Sequence, residues 1–242
     1  EIDRYDVTFR EGFIFTDFLR DITRMHWRKE LEEGQELTEV EQREEMLALA
    51  NVMFCLGYLA AQYKNQGKPW IVFLQDTKIS EIGKSSGRSG KSLVSQALKY
   101  VRQHFYIEGR NLDDKNQFQF IYDGLTGFHD VIEVDDLAEF GNFTFFYTQT
   151  TGNRTVNSKH TSPFVLSYED SGKMIISSNF ELPNTDSSTM ARLLNCGVSD
   201  YYHEKTKFND YKETRSPLSK FGRQLYADFT DDEWIEFYNF IA

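Results

Sequence analysis

Cysteine is almost missing from this chain: two in 242 residues, Cys55 and Cys196, both in apolar stretches. Two thiols with no partner pattern argue against a disulfide scaffold and fit a reducing, cytoplasmic setting. They also leave no thiolate zinc site. His104, His129, His160 and His203 do not stand at metal-ligand spacing, so no zinc is expected. Proline is nearly as rare, with four residues, and Ser/Gly clusters are few, which leaves no room for a long linker. There is no internal repeat and no low-complexity tract. No apolar run approaches the roughly 20 residues that a membrane span needs. Residues 1–10, "EIDRYDVTFR", lack the apolar segment of a signal peptide. Positive charge is short as well: 27 Lys and Arg against 38 Asp and Glu give a net charge of −11. That balance argues against coating nucleic acid by bulk electrostatics, yet leaves room for a local basic contact on an acidic body.

The length suits one α/β domain with helical additions and a sizeable core. The chain starts at Glu1 rather than Met, so a piece of a longer polypeptide is expected. Ile14, Phe18, Ile22 and Met25 recur at helical spacing and predict a helix over 10–33. A longer helix is predicted over 38–64, with Thr38 and Glu41 in a capping-box pattern. "NQGKP" (65–69) ends this helical section and marks a boundary. "WIVFLQD" (70–76) is a continuous apolar run of the kind a buried parallel strand shows. Leu93, Val94, Ala97, Leu98 and Val101 mark an amphipathic helix. "FQFIYD" (118–123), "DVIEVDD" (130–136) and "KMIISSN" (173–179) read as three further strands, each ending in a polar residue. "TVNSKHTSPFVLSYE" (155–169) reads as two strands around a polar tip, and "NFTFFYTQT" (142–150) suits strand or helix. Thr230 and Glu233 form another capping box. It opens a closing helix with Trp234, Phe237, Tyr238 and Ile241 on one face.

Five stretches could carry chemistry. "SSGRSGKSLV" (85–94) matches the last three positions of G-x-x-x-x-G-K-[ST], with Ser85 where the first glycine belongs. As a phosphate loop it would use Ser86, Gly87, Arg88, Ser89, Gly90, Lys91, Ser92 and Leu93. Backbone N–H groups and the helix N-terminus would face phosphate oxygens, Lys91 would reach the β- and γ-phosphates, and Ser92 would hold Mg²⁺. As an ordinary feature it is a solvated loop capping a helix; a strand before and a helix after it favour the phosphate reading. "VIEVDDL" (131–137) ends in Asp135 and Asp136, where one carboxylate can hold a metal shell and its neighbour polarise water. By themselves two such aspartates make a turn or helix cap. Asn179, ending "MIISSN", offers both donors and an acceptor to a γ-phosphate or water, or else an Asx turn. Arg192 is a permanent cation with a planar fork, or simply a solvated side chain. Arg154 and Lys159, in "GNRTVNSKH" (152–160), could grip a phosphate backbone or belong to a polar hairpin.

The order phosphate loop, acidic strand end, basic hairpin, asparagine-ended strand, arginine resembles that of the superfamily-3 helicases, a branch of the AAA+ ATPases. It is similar in particular to the helicase halves of phage, plasmid and poxvirus-type primase-helicases. The similarity covers roughly residues 40–200. Gly90-Lys91-Ser92 matches Walker A, Asp135 and Asp136 match Walker B, "TTGNRTVNSK" matches the hairpin motif with Lys159 as its lysine, and "IISSN" matches motif C through Asn179. Arg192 falls where the family places its arginine finger. Asp136 stands where many relatives carry Glu.

The resemblance implies an α/β fold, a P-loop AAA+ core with a parallel sheet flanked by N-terminal and C-terminal helices. The expected divisions are a collar-like helical subdomain over 1–66, the ATPase core over 67–200 and a C-terminal helical segment over 201–242. It also implies that "NFTFFYTQT" is a helix. The activity implied is a motor that hydrolyses Mg-ATP on nucleic acid, single-stranded DNA before RNA, in a hexameric ring. Lys91, Asp135, Asp136, Asn179 and Arg192 would be its catalytic set, with Ser92 and Asp135 on Mg²⁺ and Lys159 and Arg154 on DNA. A primase domain would lie upstream of Glu1. Two other functions remain open at this point: a P-loop phosphotransferase acting on a nucleoside or nucleotide, and a degenerate ATPase fold kept as an assembly module.

Overall fold

The structure is a computed structural model describing residues 12–31, 35–77, 88–110, 112, 118–138, 143–147, 150–159, 161–180, 182 and 187–241. Helix α1 (Ile14–Thr23) buries Ile14, Phe15, Phe18, Leu19 and Ile22. It ends sooner than the 10–33 pattern predicts. The Thr23 hydroxyl donates back to the Leu19 and Arg20 carbonyls, both at 2.9 Å, and Arg24 turns extended at ψ 90°. Such local side-chain bonds compete with helix propagation. A separate turn, α2 (Trp27–Glu30), follows. Helix α3 (Glu39–Ala60) starts at the predicted capping box: Thr38 Oγ1 accepts from the Glu41 N–H at 3.3 Å, and the Glu41 carboxylate accepts from the Thr38 N–H at 2.7 Å.

The apolar run after α3 is strand β1 (Ile71–Asp76), with Ile71 to Leu74 at most 1% exposed. Burying each of those side chains is worth roughly 1.5–3 kcal/mol, which favours an interior place for β1 in the sheet. Beyond it come α4 (Lys91–Lys99), β2 (His104–Glu108), β3 (Val131–Leu137), α5 (Phe143–Tyr147), β4 (Arg154–Val156), β5 (Phe164–Leu166) and β6 (Lys173–Ser178). The chain closes with α6 (Ser187–Met190), β7 (Leu193–Val198), α7 (Pro217–Phe221) and α8 (Asp231–Ile241). Five strands form one parallel sheet in the order β2-β3-β6-β1-β7, a P-loop-like topology flanked by helices. The hairpin β4–β5 pairs antiparallel and apart from it. One sheet face packs with α1, α3, α4 and α8 in a single apolar cluster, and the other packs with α5 and the hairpin. Thus the terminal helices share a core with the sheet.

Two sequence expectations need correction. Residues 118–123 are a helical turn running into further turns, not a strand. Their backbone bonds are three-residue closures, Asp123 to Phe120 at 3.0 Å and Leu125 to Tyr122 at 2.9 Å. Phe118 and Tyr122 pack on Phe145 of α5, at 4.6 and 6.2 Å between rings, so the aromatics are buried without joining the sheet. Conversely, β2 and β7 have no strand expectation. Both are sheet edges, half-exposed, and β7 is broken up by Asn195 and Gly197, so neither shows a continuous apolar run or clean alternation. No helix among the described residues is long and apolar enough to cross a membrane.

Candidate functional site

In a parallel sheet all strands end on the same edge, and there an α/β fold gathers its polar groups. β6 lies between β1 and β3, with Leu74 opposite Ser177 and Val134 opposite Ile176. Asp76 at the end of β1, Asn179 just past β6 and Asp135-Asp136 at the end of β3 therefore come out side by side. Helix α4 starts at the same edge. Its N-cap, Gly90, has φ +101°, a left-handed conformation that a side chain resists. A Cβ there would also stand 3.1 Å from Phe18 and 3.2 Å from Ile22, so α1 presses directly on the loop.

The side chains at this edge are bonded into one chain. Lys91 Nζ donates to Asp76 Oδ2 at 2.7 Å, Asn179 Oδ1 at 2.9 Å and Ser89 Oγ at 3.3 Å. Ser89 Oγ donates to Asp76 Oδ1 at 2.5 Å. With its oxygen on the lysine, Asn179 turns its amide Nδ2 to Asp136 Oδ1 at 2.8 Å. The Lys91 and Asp76 side chains are each only 9% exposed. Charges so poorly screened interact far more strongly than a surface pair.

Successive strand residues face opposite ways, so Asp135 and Asp136 should not serve one site. The register between β3 and β6 shifts between Val134 and Leu137, and Asp136 adopts φ +56°. This irregularity brings both carboxylates to the end of β6. Ser177 Oγ donates to Asp135 Oδ1 at 2.8 Å and accepts from the Asp136 N–H at 2.8 Å. Gly109 sits against the same kink, its N–H on the Asp135 carbonyl at 2.6 Å. Next to it, Arg110 makes an ion pair with Asp136. The Tyr106 hydroxyl donates to Asp135 Oδ2 at 3.3 Å; burial and the Asp135 charge push its pKa up.

The remaining predicted residues fall as follows. Ser86 and Gly87 lie outside the described residues, as does His160 beside Lys159. Arg88 is exposed at φ +83° and pairs with Glu204 at 3.1 Å. Ser92 is exposed at the start of α4, and the Leu93 carbonyl accepts from the Tyr226 hydroxyl at 2.6 Å. Arg192 immediately precedes β7, at the opposite end of the sheet, with Nη1 on the Ser188 carbonyl at 2.9 Å. It does not join the Lys91 cluster within this chain.

Lys159 is exposed at the hairpin tip, its ammonium 5.9 Å from the Phe120 ring. Arg154 corrects the expectation made for it. At 2% exposure it is the inward residue of β4, its guanidinium 4.9 Å over the Tyr122 ring. Strand alternation turns Arg154 and Val156 into the core, and burial lowers the Arg154 pKa. Of the two basic residues expected to contact nucleic acid, Lys159 is exposed and Arg154 is buried.

Sequence reasoning missed Asp76, Ser177, Gly109 and Arg110. Asp76 had a signal, an acid ending a buried strand before a glycine loop. Ser177 could be found only from the strand pairing. Groups of three or more acid, histidine or cysteine side chains able to hold a metal are absent among the described residues.

No described protein family and no curated protein matches the sequence. Among solved structures, the chain is similar to two A-form apo structures of the NrS-1 C-terminal region. Identity is 12% in both, with TM-scores of 0.45 and 0.41. The likeness covers 97% of this chain, which spans 44% of either of those chains.

Proposed function

We propose that the chain is a P-loop ATPase that uses Mg-ATP to move on nucleic acid, as the helicase part of a replication protein. The observation that carries this reading is the bonded path Lys91–Asn179–Asp136, which joins the helix after β1 to the ends of β6 and β3. The donor set fits a triphosphate with its metal. It offers one buried ammonium, an amide, a hydroxyl at the first turn of a nine-residue helix and two carboxylates on a neighbouring strand. Lys91 would take the β- and γ-phosphate oxygens, and Ser92 with Asp135 would hold Mg²⁺. When bound, the metal neutralises charge on the phosphate oxygens.

Asp136 would accept the proton of the attacking water at a carboxylate oxygen. Asn179, touching both Lys91 and Asp136, would pass the state of the phosphate end to the acid. The Arg110–Asp136 pair is no obstacle, because the Arg110 side chain is 72% exposed and such a pair is weak in water. Arg192, at the far end of the sheet, would complete the site of a neighbouring copy, which calls for self-association in a ring. Lys159 would touch the phosphate backbone of single-stranded DNA.

The test is the ATPase rate with and without single-stranded DNA, for the parent and Lys159→Ala. The parent is expected to be stimulated, and in Lys159→Ala the ratio of the two rates falls to near one. Equal stimulation of both proteins removes Lys159 from the track, and no ATP turnover by the parent under either condition removes the function.

A further inference from the structure

Lys91 has three N–H groups, and Asp76, Asn179 and Ser89 take all three. Only one of these partners is charged. Asp76 is no part of the phosphate-loop pattern, yet it supplies the shortest of the three bonds to Lys91. It is also held in place from two sides: it ends the interior strand β1, and its other oxygen accepts from Ser89 at 2.5 Å. A triphosphate on this helix start needs the same lysine. The two anions cannot share it without facing each other in a poorly screened site.

We propose that Asp76 is a built-in competitor for the nucleotide, a carboxylate that occupies Lys91 until phosphate oxygens replace it and so sets the affinity for ATP. This inference rests on the reading of Lys91 as the phosphate-binding lysine. Asp76 is a positioning residue acting through Lys91, with no role in bond cleavage. Replacing its carboxylate by an amide keeps an oxygen for Ser89 and leaves Lys91 with neutral acceptors only. A buried ammonium without a counter-charge is costly, and an arriving triphosphate would relieve that cost.

The experiment is a calorimetric titration with Mg-ATP of the parent, Asp76→Asn, Asp76→Glu and Lys91→Ala, with thermal melting as the fold control. Asp76→Asn is expected to bind about tenfold tighter than the parent, roughly 1.4 kcal/mol. Asp76→Glu, which restores the charge, is expected to return toward parental affinity, and Lys91→Ala to bind much more weakly. A merely structural Asp76 cannot give tighter binding on removal. If the parent binds and Asp76→Asn binds equally or more weakly, the proposal is overturned while the phosphate site stands. If the parent shows no binding, both fall. Should Asp76→Asn lack a cooperative melt, Asp76→Ser is read in its place. If neither folds, Asp76 is a structural residue and the proposal is overturned.

Discussion

A methyl group on Gly109 would stand 2.6 Å from the Asp135 carbonyl oxygen and 2.7 Å from the Leu137 nitrogen. Both neighbours are backbone, so neither can swing away. The kink that turns Asp135 and Asp136 to one site thus depends on a residue of β2's exit that carries no chemistry itself. Gly109→Ala is expected to destabilise the fold by about 1–3 kcal/mol in denaturant unfolding, the usual cost of overpacking. It is also expected to lower ATP turnover in the fraction that remains folded, because both acids move. An unchanged unfolding midpoint would show that the loop has slack. At this scale the sequence carried the residue types well: Lys91 was legible from the glycine loop, and Asp135, Asp136 and Asn179 from the ends of apolar runs. Lys91, Asn179 and Asp136 are joined by hydrogen bonds, with Asp135 beside them on Ser177. Arg154 was misread, because a basic residue in a polar hairpin looks solvated until the strand phase is known. Ser177 and Gly109 were illegible, since their roles arise only where β3 and β6, or β2 and β3, are paired.

Among elements, α4 is tied to the sheet by more than apolar contact. Glu133 of β3, 4% exposed, takes Lys99 Nζ at 2.8 Å and lies 3.4 Å from His104 Nδ1 of β2. Burial pushes the Glu133 carboxyl up, but the bonds from His104, Lys99 and Ser95 outweigh it and hold the pKa at about 2, below the ordinary 4.5. A depressed carboxyl stabilises the fold above its unfolded pKa and loses that contribution as pH falls through the folded one. The acid side of the stability curve should therefore drop between about pH 4.5 and 2, and Glu133→Gln should flatten that part while lowering stability at neutral pH. Unfolding midpoints across this range check it; an acid limb unchanged in the variant would mean that Glu133 does not titrate there. The long elements were readable for a physical reason. α3 announces itself by its capping box, and β1 and β6 by burial on both faces. Edge strands β2 and β7, buried on fewer sides, carry a weaker pattern, and the aromatic 118–123 segment imitates a strand because its rings bury against α5.

Across the whole molecule, charge and geometry are divided between the two ends of the sheet. Asp76, Asn179, Asp135 and Asp136 stand at the strand ends with Lys91 at the helix start beside them, while Arg192 stands where the strands begin. Under the proposed function, such a division would give the arginine a part in a neighbouring copy's site rather than in its own. The acidic balance, −11 overall, disfavours binding nucleic acid by bulk charge, so the proposed contact would fall on a local feature such as the exposed Lys159 tip. Everything in this arrangement turns on the Lys91 edge being a place where a phosphate bond is broken. Phosphate release from Mg-ATP by folded Lys91→Ala, set against the parent, tests that most directly. Turnover is expected to fall at least a hundredfold, and release at the parental rate would contradict the account.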